Sequence, residues 1–149
     1  MEVAQAIELV VGLAASEDRA AQAQALAAAL GAEDLLVLLQ DAEADAMMPA
    51  PGRRMTLPGG AAWRDFLARA KANGFHRSEL PWNGAPHPVL GCTAQGLAIV
   101  FIGGALADAD AKLVCSMAPL LKAAIAAQHA RAWTAGLLQA GRAGIRQAA

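Results

Sequence analysis

The stretch GCTAQGLAIVFIGG, residues 91–104, decides the fold. Two runs, Val89 to Ala94 and Leu97 to Ile102, flank the dipeptide Gln95-Gly96, and Gly103-Gly104 breaks the second of them. Short runs rich in apolar and β-branched residues around a two-residue loop that ends in glycine predict an antiparallel hairpin. Its second strand is apolar throughout.

Upstream of the hairpin, Phe75 to Pro88 holds three prolines, Asn83-Gly84 and two histidines, and reads as a long connection with at most one short strand. Before it, Trp63, Phe66, Leu67 and Ala70 recur at i, i+3, i+4 and i+7, so Ala61 to Asn73 is a helix with its aromatic face inward and Gly74 as its stop. Leu35 to Leu39 is an apolar run between acidic neighbours, which suits a strand buried on both faces. A turn is expected at Asp41 to Asp45, then a second strand from Ala46 that Pro49, Pro51 and Gly52 end. Arg53 to Leu57 can resume the pairing. At the start of the chain, Val3, Ile7, Val10 and Val11 mark an amphipathic helix over the first fifteen residues. A second helix follows, with Ser16 as N-cap, Glu17 and Asp18 at the positive end of its dipole, and Gly31 as its stop. Downstream, Asp108 or Asp110 caps a last helix that runs to about Leu138. Pro119 lies within it and is expected to kink or divide it, and Gly136, Gly141 and Gly144 weaken the end.

The order of elements is helix, helix, strand, strand, helix, long loop, hairpin, helix. This is an α+β layout with a mostly antiparallel sheet. The 149 residues fit one domain, and about half of the 56% hydrophobic fraction is alanine, which supplies 40 residues. Charge is uneven: residues 1–46 sum to −8 and the remainder to +7, so the halves attract each other within one fold or across a dimer. Aromatic residues at 4% with no tyrosine give no nucleic-acid stacking platform. The apolar runs are far shorter than the roughly 20 residues a membrane span needs. The first residues lack the basic start of a secretory signal, and a cytoplasmic location is expected.

Four stretches together resemble a GAF domain, the small sensory module of bacterial signalling proteins. They are LGAEDLLVLLQDAEADAMMPAPG at 30–52, AAWRDFLARAKANGF at 61–75, GCTAQGLAIVFIGG at 91–104 and DADAKLVCSMAPLLKAAIAAQHARA at 108–132. The resemblance covers roughly residues 16–135, with the helix at 1–15 before it and a helical connector or frayed tail at 136–149. It implies a GAF-like (profilin-like) antiparallel sheet with terminal helices packed on one face and a ligand cavity on the other. It also implies dimerisation through the terminal helices and an output domain downstream, such as a sensor histidine kinase. The residue set of cyclic-nucleotide-binding relatives is missing. Neither cysteine is followed by the histidine of bilin attachment, nor do the cysteines cluster as in the methionine-sulfoxide reductases of that superfamily.

No catalytic motif stands out, and the chain is read as non-enzymatic. Cys92 and Cys115 form no CxxC motif and no disulfide framework, and read as ordinary buried thiols. His76, His87 and His129 lack metal-ligand spacing, so no metal or cofactor is implied. The serines lie in no nucleophile elbow and the glycine pairs in no phosphate loop. Six cations from Arg53 to Arg77 read as a solvated face opposite the acidic N-terminal third. The candidate ligand-binding residues are Met48, Trp63, Phe66, Phe75, Trp82 and Cys92, with Trp82 in its Pro-Trp-Asn-Gly loop as a lid. The candidate dimer and signalling stripes are Val3, Ile7 and Val10 on the first helix and Leu113, Leu120 and Ile125 on the last. A roadblock-like scaffold, its cavity filled by its own side chains and its task partner binding, is the opposing reading.

Overall fold

The computed structural model describes residues 2–15, 19–41, 46–49, 60–104 and 106–148. In chain order these form α1 (Val3–Ala15), α2 (Arg19–Leu30), β1 (Asp34–Asp41), β2 (Ala46–Pro49) and α3 (Ala61–Asn73). They continue with β3 (Phe75–Trp82), β4 (Ala85–Ala94), β5 (Leu97–Ile102), α4 (Asp108–Cys115) and α5 (Ala118–Ala148). The strands make one five-stranded sheet in the order β2-β1-β5-β4-β3, every pair antiparallel. The chain is therefore α+β.

Side-chain alternation sorts the sheet into two faces. Leu35, Val37, Leu97, Ile99 and Phe101 face one layer, together with Val10 and Leu13 of α1, Leu26 and Leu30 of α2, Val114 of α4 and Leu121 and Ile125 of α5. Leu36, Leu38, Ala98, Val100 and Ile102 face the other, against Trp63 and Phe66 of α3. Four helices cover one face and α3 covers the second. Since β5 is buried at every residue and β1 at four consecutive ones, Leu35 to Leu38, both are sandwiched between layers, as their uninterrupted apolar runs require.

The segment expected to be a long connection is instead a hairpin. β3 and β4 pair from Phe75↔Cys92 to Trp82↔Ala85, and Asn83 (φ 50°) and Gly84 (φ 82°) form the two-residue turn. Both are left-handed, as a type I′ turn demands, so Asn83-Gly84 was the hairpin signal and the prolines around it masked it. The prolines fit because of where their backbones point. The Gly103 N–H donates to the Pro88 carbonyl at 2.8 Å, so residue 88 faces β5, and by the two-residue repeat residue 86 faces the same way. The regular β4–β5 ladder ends at Val89↔Ile102, so neither missing N–H interrupts it. Pro81 of β3 opposes Pro86 of β4, and its backbone points outward from the sheet edge. Trp82, expected as a lid in a loop, ends β3 and packs on the α3 side, its ring 6.0 Å from that of Trp63.

Pro119 divides the last helix. The α4 C-terminus closes through Ser116 N–H to Lys112 O at 2.9 Å and Met117 N–H to Val114 O at 3.0 Å, and α5 restarts at Ala118. Pro119 then occupies the first turn of α5, where an N–H has no intrahelical acceptor to lose. The helix continues past Leu138 to Ala148 through all three glycines, each of which costs about 1 kcal/mol relative to alanine without forcing a break.

The two cysteines are not separate thiols. Cys92 of β4 and Cys115 of α4 form a disulfide with Cα atoms 6.2 Å apart, within the span a disulfide bridges. Their separation of 23 residues conceals this, because only the packing of α4 on the sheet brings them together. The Ser16 cap with Glu17 and Asp18, the turn residues 42–45 and the expected pairing of Arg53 to Leu57 lie outside the described residues.

Candidate functional site

The sheet face under α3 is where the resemblance implies a cavity. Trp63 is 1% exposed and Phe66 2%, with ring centroids 6.0 Å apart and edge-on. The Trp63 indole donates to the Pro81 carbonyl at 2.8 Å, fixing the start of α3 to the outer edge of β3. At the other end, the Thr93 hydroxyl donates to Ala70 O at 2.8 Å, and the Thr93 N–H to Gly74 O at 3.0 Å. Gly74 is left-handed, at φ 75°, and closes the helix by an N–H bond to Ala70 O. Between these anchors Phe66 lies directly on the backbone of Gly91. A Cβ added to Gly91 would fall 2.8 Å from Phe66 Cζ. Glycine at this strand position thus sets how closely α3 approaches β4. Side chains of the chain itself fill this part of the face.

The six candidate ligand residues do not converge. Trp63, Phe66 and Trp82 lie together under α3. Phe75 and Cys92 are cross-strand partners on the opposite face, in the layer of four helices. Cys92 is tied up in the disulfide, and Lys112 Nζ stands 5.5 Å from the Phe75 ring centroid. Met48 is 46% exposed on β2, while its neighbour Met47 is the buried one, packed with the α3 cluster. All six are apolar or aromatic, and strand parity separates Phe75 and Cys92 from the residues under α3.

A polar group that the sequence reading did not assemble lies at the end of the sheet where β5 stops. The Arg77 guanidinium donates to Leu106 O at 3.1 Å and pairs with the Asp108 carboxylate at the first residue of α4. His87 Nδ1 is 3.4 Å from Glu33 Oε2. A cavity of about 20 Å³, room for a single water, is lined here by Arg77, Pro88, Leu90, Phe101, Gly103 and Leu106 among others. Arg64, Arg69 and Lys71 are exposed on α3, and Arg69 pairs with Asp65 one turn back at 2.9 Å. His76 stacks at a tilt on Phe66, 5.6 Å between centroids; the side chain of His129 and residues Arg53 and Arg54 lie outside the described ones. No group of three or more histidine, cysteine or acidic side chains able to hold a metal occurs among the described residues. No described helix is long and apolar enough to cross a membrane.

The terminal-helix stripes also divide. Val10 (2% exposed) and Ile125 (3%) belong to the core of the chain itself, and Leu113 is half-buried. Val3 (58%), Ile7 (45%) and Leu120 (50%) face outward, joined by Val11 (49%). α1 therefore carries two apolar faces: Ala6, Val10 and Leu13 inward, and Val3, Ile7 and Val11, spaced four apart, outward. α5 is buried as far as Ile125, and every side chain described beyond it is exposed, Leu137 and Leu138 included. At 31 residues it is about 46 Å long, so it projects well past the sheet it packs on. Comparison of the chain with protein-family models, with curated proteins and with solved structures found no match to any of the three.

Proposed function

We propose that this chain is a non-catalytic, GAF-like (profilin-like) sensory domain of a bacterial signal-transduction protein, the input of a sensor histidine kinase or a similar output domain. It acts in the cytoplasm as a homodimer through its terminal helices and binds an unidentified small molecule. The observation that carries this reading is α5, a helix anchored on the sheet up to Ile125 and exposed in its described side chains beyond. A helix of this kind transmits a change at the sheet to whatever its far end contacts. The outward stripe Val3/Ile7/Val11 on α1, with Leu120 on α5, supplies the apolar surface for a second copy. The mechanism is a population shift: a ligand moves the dimer toward one helix arrangement by no more than its difference in affinity for the two.

One observation favours a second reading. Phe66 occupies the space over Gly91 and Trp63 is buried beside it, which suits a roadblock-like scaffold that binds partners and no small molecule. Native mass spectrometry of gently purified protein separates the two. A dimer with a reproducible extra mass supports the sensor, a clean dimer the scaffold, and a monomer at high concentration refutes dimerisation in both. Ile7→Glu should convert the dimer to a folded monomer, because an exposed position tolerates the charge, within about 0.5 kcal/mol, until two copies bury it. An unchanged dimer would remove α1 from the interface.

A further inference from the structure

The Cys92–Cys115 bond joins the sheet to the helix layer at the point where the chain breaks between α4 and α5. Its two residues differ in exposure. Cys92 is 4% exposed in the middle of the helix-side core, whereas Cys115, the last residue of α4, is half-buried at the rim of that core. Only Ser116 and Met117 separate it from α5. α4 itself is eight residues long with Ala111 and Val114 as its buried residues, so few apolar contacts hold it to the sheet. Its first turn is held separately, by Arg77 on Asp108 and on the Leu106 carbonyl. The disulfide is the covalent tie on the end of α4 that leads into α5, beside the buried side chains of Val114 and Ala118.

We infer that Cys92–Cys115 is a thiol–disulfide exchange site, entered at the Cys115 sulfur by small thiols and small disulfides, whose opening frees the α4–α5 junction from β4. Closing needs a low-molecular-weight disulfide as oxidant. The Cys115 thiolate attacks one sulfur of that disulfide and expels the first small thiolate, leaving a mixed disulfide on Cys115. The Cys92 thiol then loses its proton, attacks the Cys115 sulfur and expels the second small thiolate. Two protein thiols thereby give up two electrons and two protons, and the small disulfide takes both as two small thiols. Opening runs the same steps backward. The order follows from exposure, Cys115 being the less buried of the two residues. The neighbouring residue of Cys92 adds a consequence: Gly91 bears Phe66 of α3 on one face of β4, while Cys92 bears the bond to α4 on the other.

The test uses the full chain in buffers of reduced and oxidised glutathione, quenched in acid, alkylated and weighed intact, with hydrogen exchange on both end states. The expected result is passage from no alkyl adducts to two as reduced glutathione rises, with circular dichroism unchanged. On opening, the amides of Ser116, Met117 and Leu121 should exchange at least tenfold faster while those of β5 do not change. Cys92→Ala should retain one glutathione, on Cys115, and Cys115→Ser, at the accessible position, should retain none. A bond that stays closed in excess reduced glutathione, or never closes in the oxidised form, overturns the inference. So does faster exchange in β5 as well, which marks a staple of the whole fold, or glutathione found on Cys92 of Cys115→Ser.

Discussion

Gly91→Ala tests the close approach of α3 to β4 most directly. The new Cβ would sit 2.8 Å from Phe66 Cζ and 3.0 Å from Cε1, so one of them must move by roughly half an ångström or more to reach ordinary contact. The ring has little room to give: Phe66 is 2% exposed, with Trp63 at 6.0 Å and His76 at 5.6 Å between centroids. Overpacking of this kind costs about 1–3 kcal/mol. Against it stands the gain from replacing a strand glycine by alanine, about 0.5–1 kcal/mol. The packing cost wins, and the net destabilisation should be about 1–2 kcal/mol. Urea denaturation followed by tryptophan fluorescence measures it, since Trp63 and Trp82 both lie in the affected cluster. Phe66→Leu removes the ring tip that the new Cβ meets. In that background Gly91→Ala should be neutral or slightly stabilising, giving a coupling energy of about 1–3 kcal/mol in the double-mutant cycle. A change under 0.5 kcal/mol in the unmodified chain, or the same cost with Phe66→Leu, would refute the claim that Gly91 sets the spacing.

Trp63→Phe should destabilise by about 2–3 kcal/mol, combining the lost indole bond to Pro81 O with the volume left empty beside Phe66; denaturation followed by far-ultraviolet circular dichroism checks it, and a loss under 1 kcal/mol would count against the anchor. Arg77→Ala should cost less, about 0.5–1 kcal/mol, because Arg77 and Asp108 are about half exposed. Its signature is local: faster hydrogen exchange at the first turn of α4 and a cost that shrinks with added salt, and exchange that stays level there would show that Arg77 does not hold α4.

Much of the architecture was legible because it is periodic. The α3 helix, its Gly74 stop and the turn at Gln95-Gly96 follow from local spacing that tertiary packing did not override. The β3–β4 hairpin was hidden by Pro81, Pro86 and Pro88, which count against a strand only where their N–H is required, and that depends on which way each backbone faces. Misjudging that boundary also merged two faces into one candidate site, since strand parity sends Phe75 and Cys92 one way and His76 the other. The disulfide and the Arg77–Asp108 pair join residues far apart in sequence, with no local pattern to announce them. Nor does an amphipathic stripe say which of two apolar faces is inward, as Val10 and Ile7 on α1 demonstrate.

The outer margin of β3 has one more implication. An unpaired strand margin invites another chain to continue the sheet, by way of N–H and carbonyl groups left facing outward. At Pro81 the first of these is absent by chemistry, and the second is already engaged by the Trp63 indole. A strand arriving at residue 81 of β3 finds nothing to bond there. The same helix that fills the sheet face thus also blunts this corner of the margin against edge-to-edge pairing.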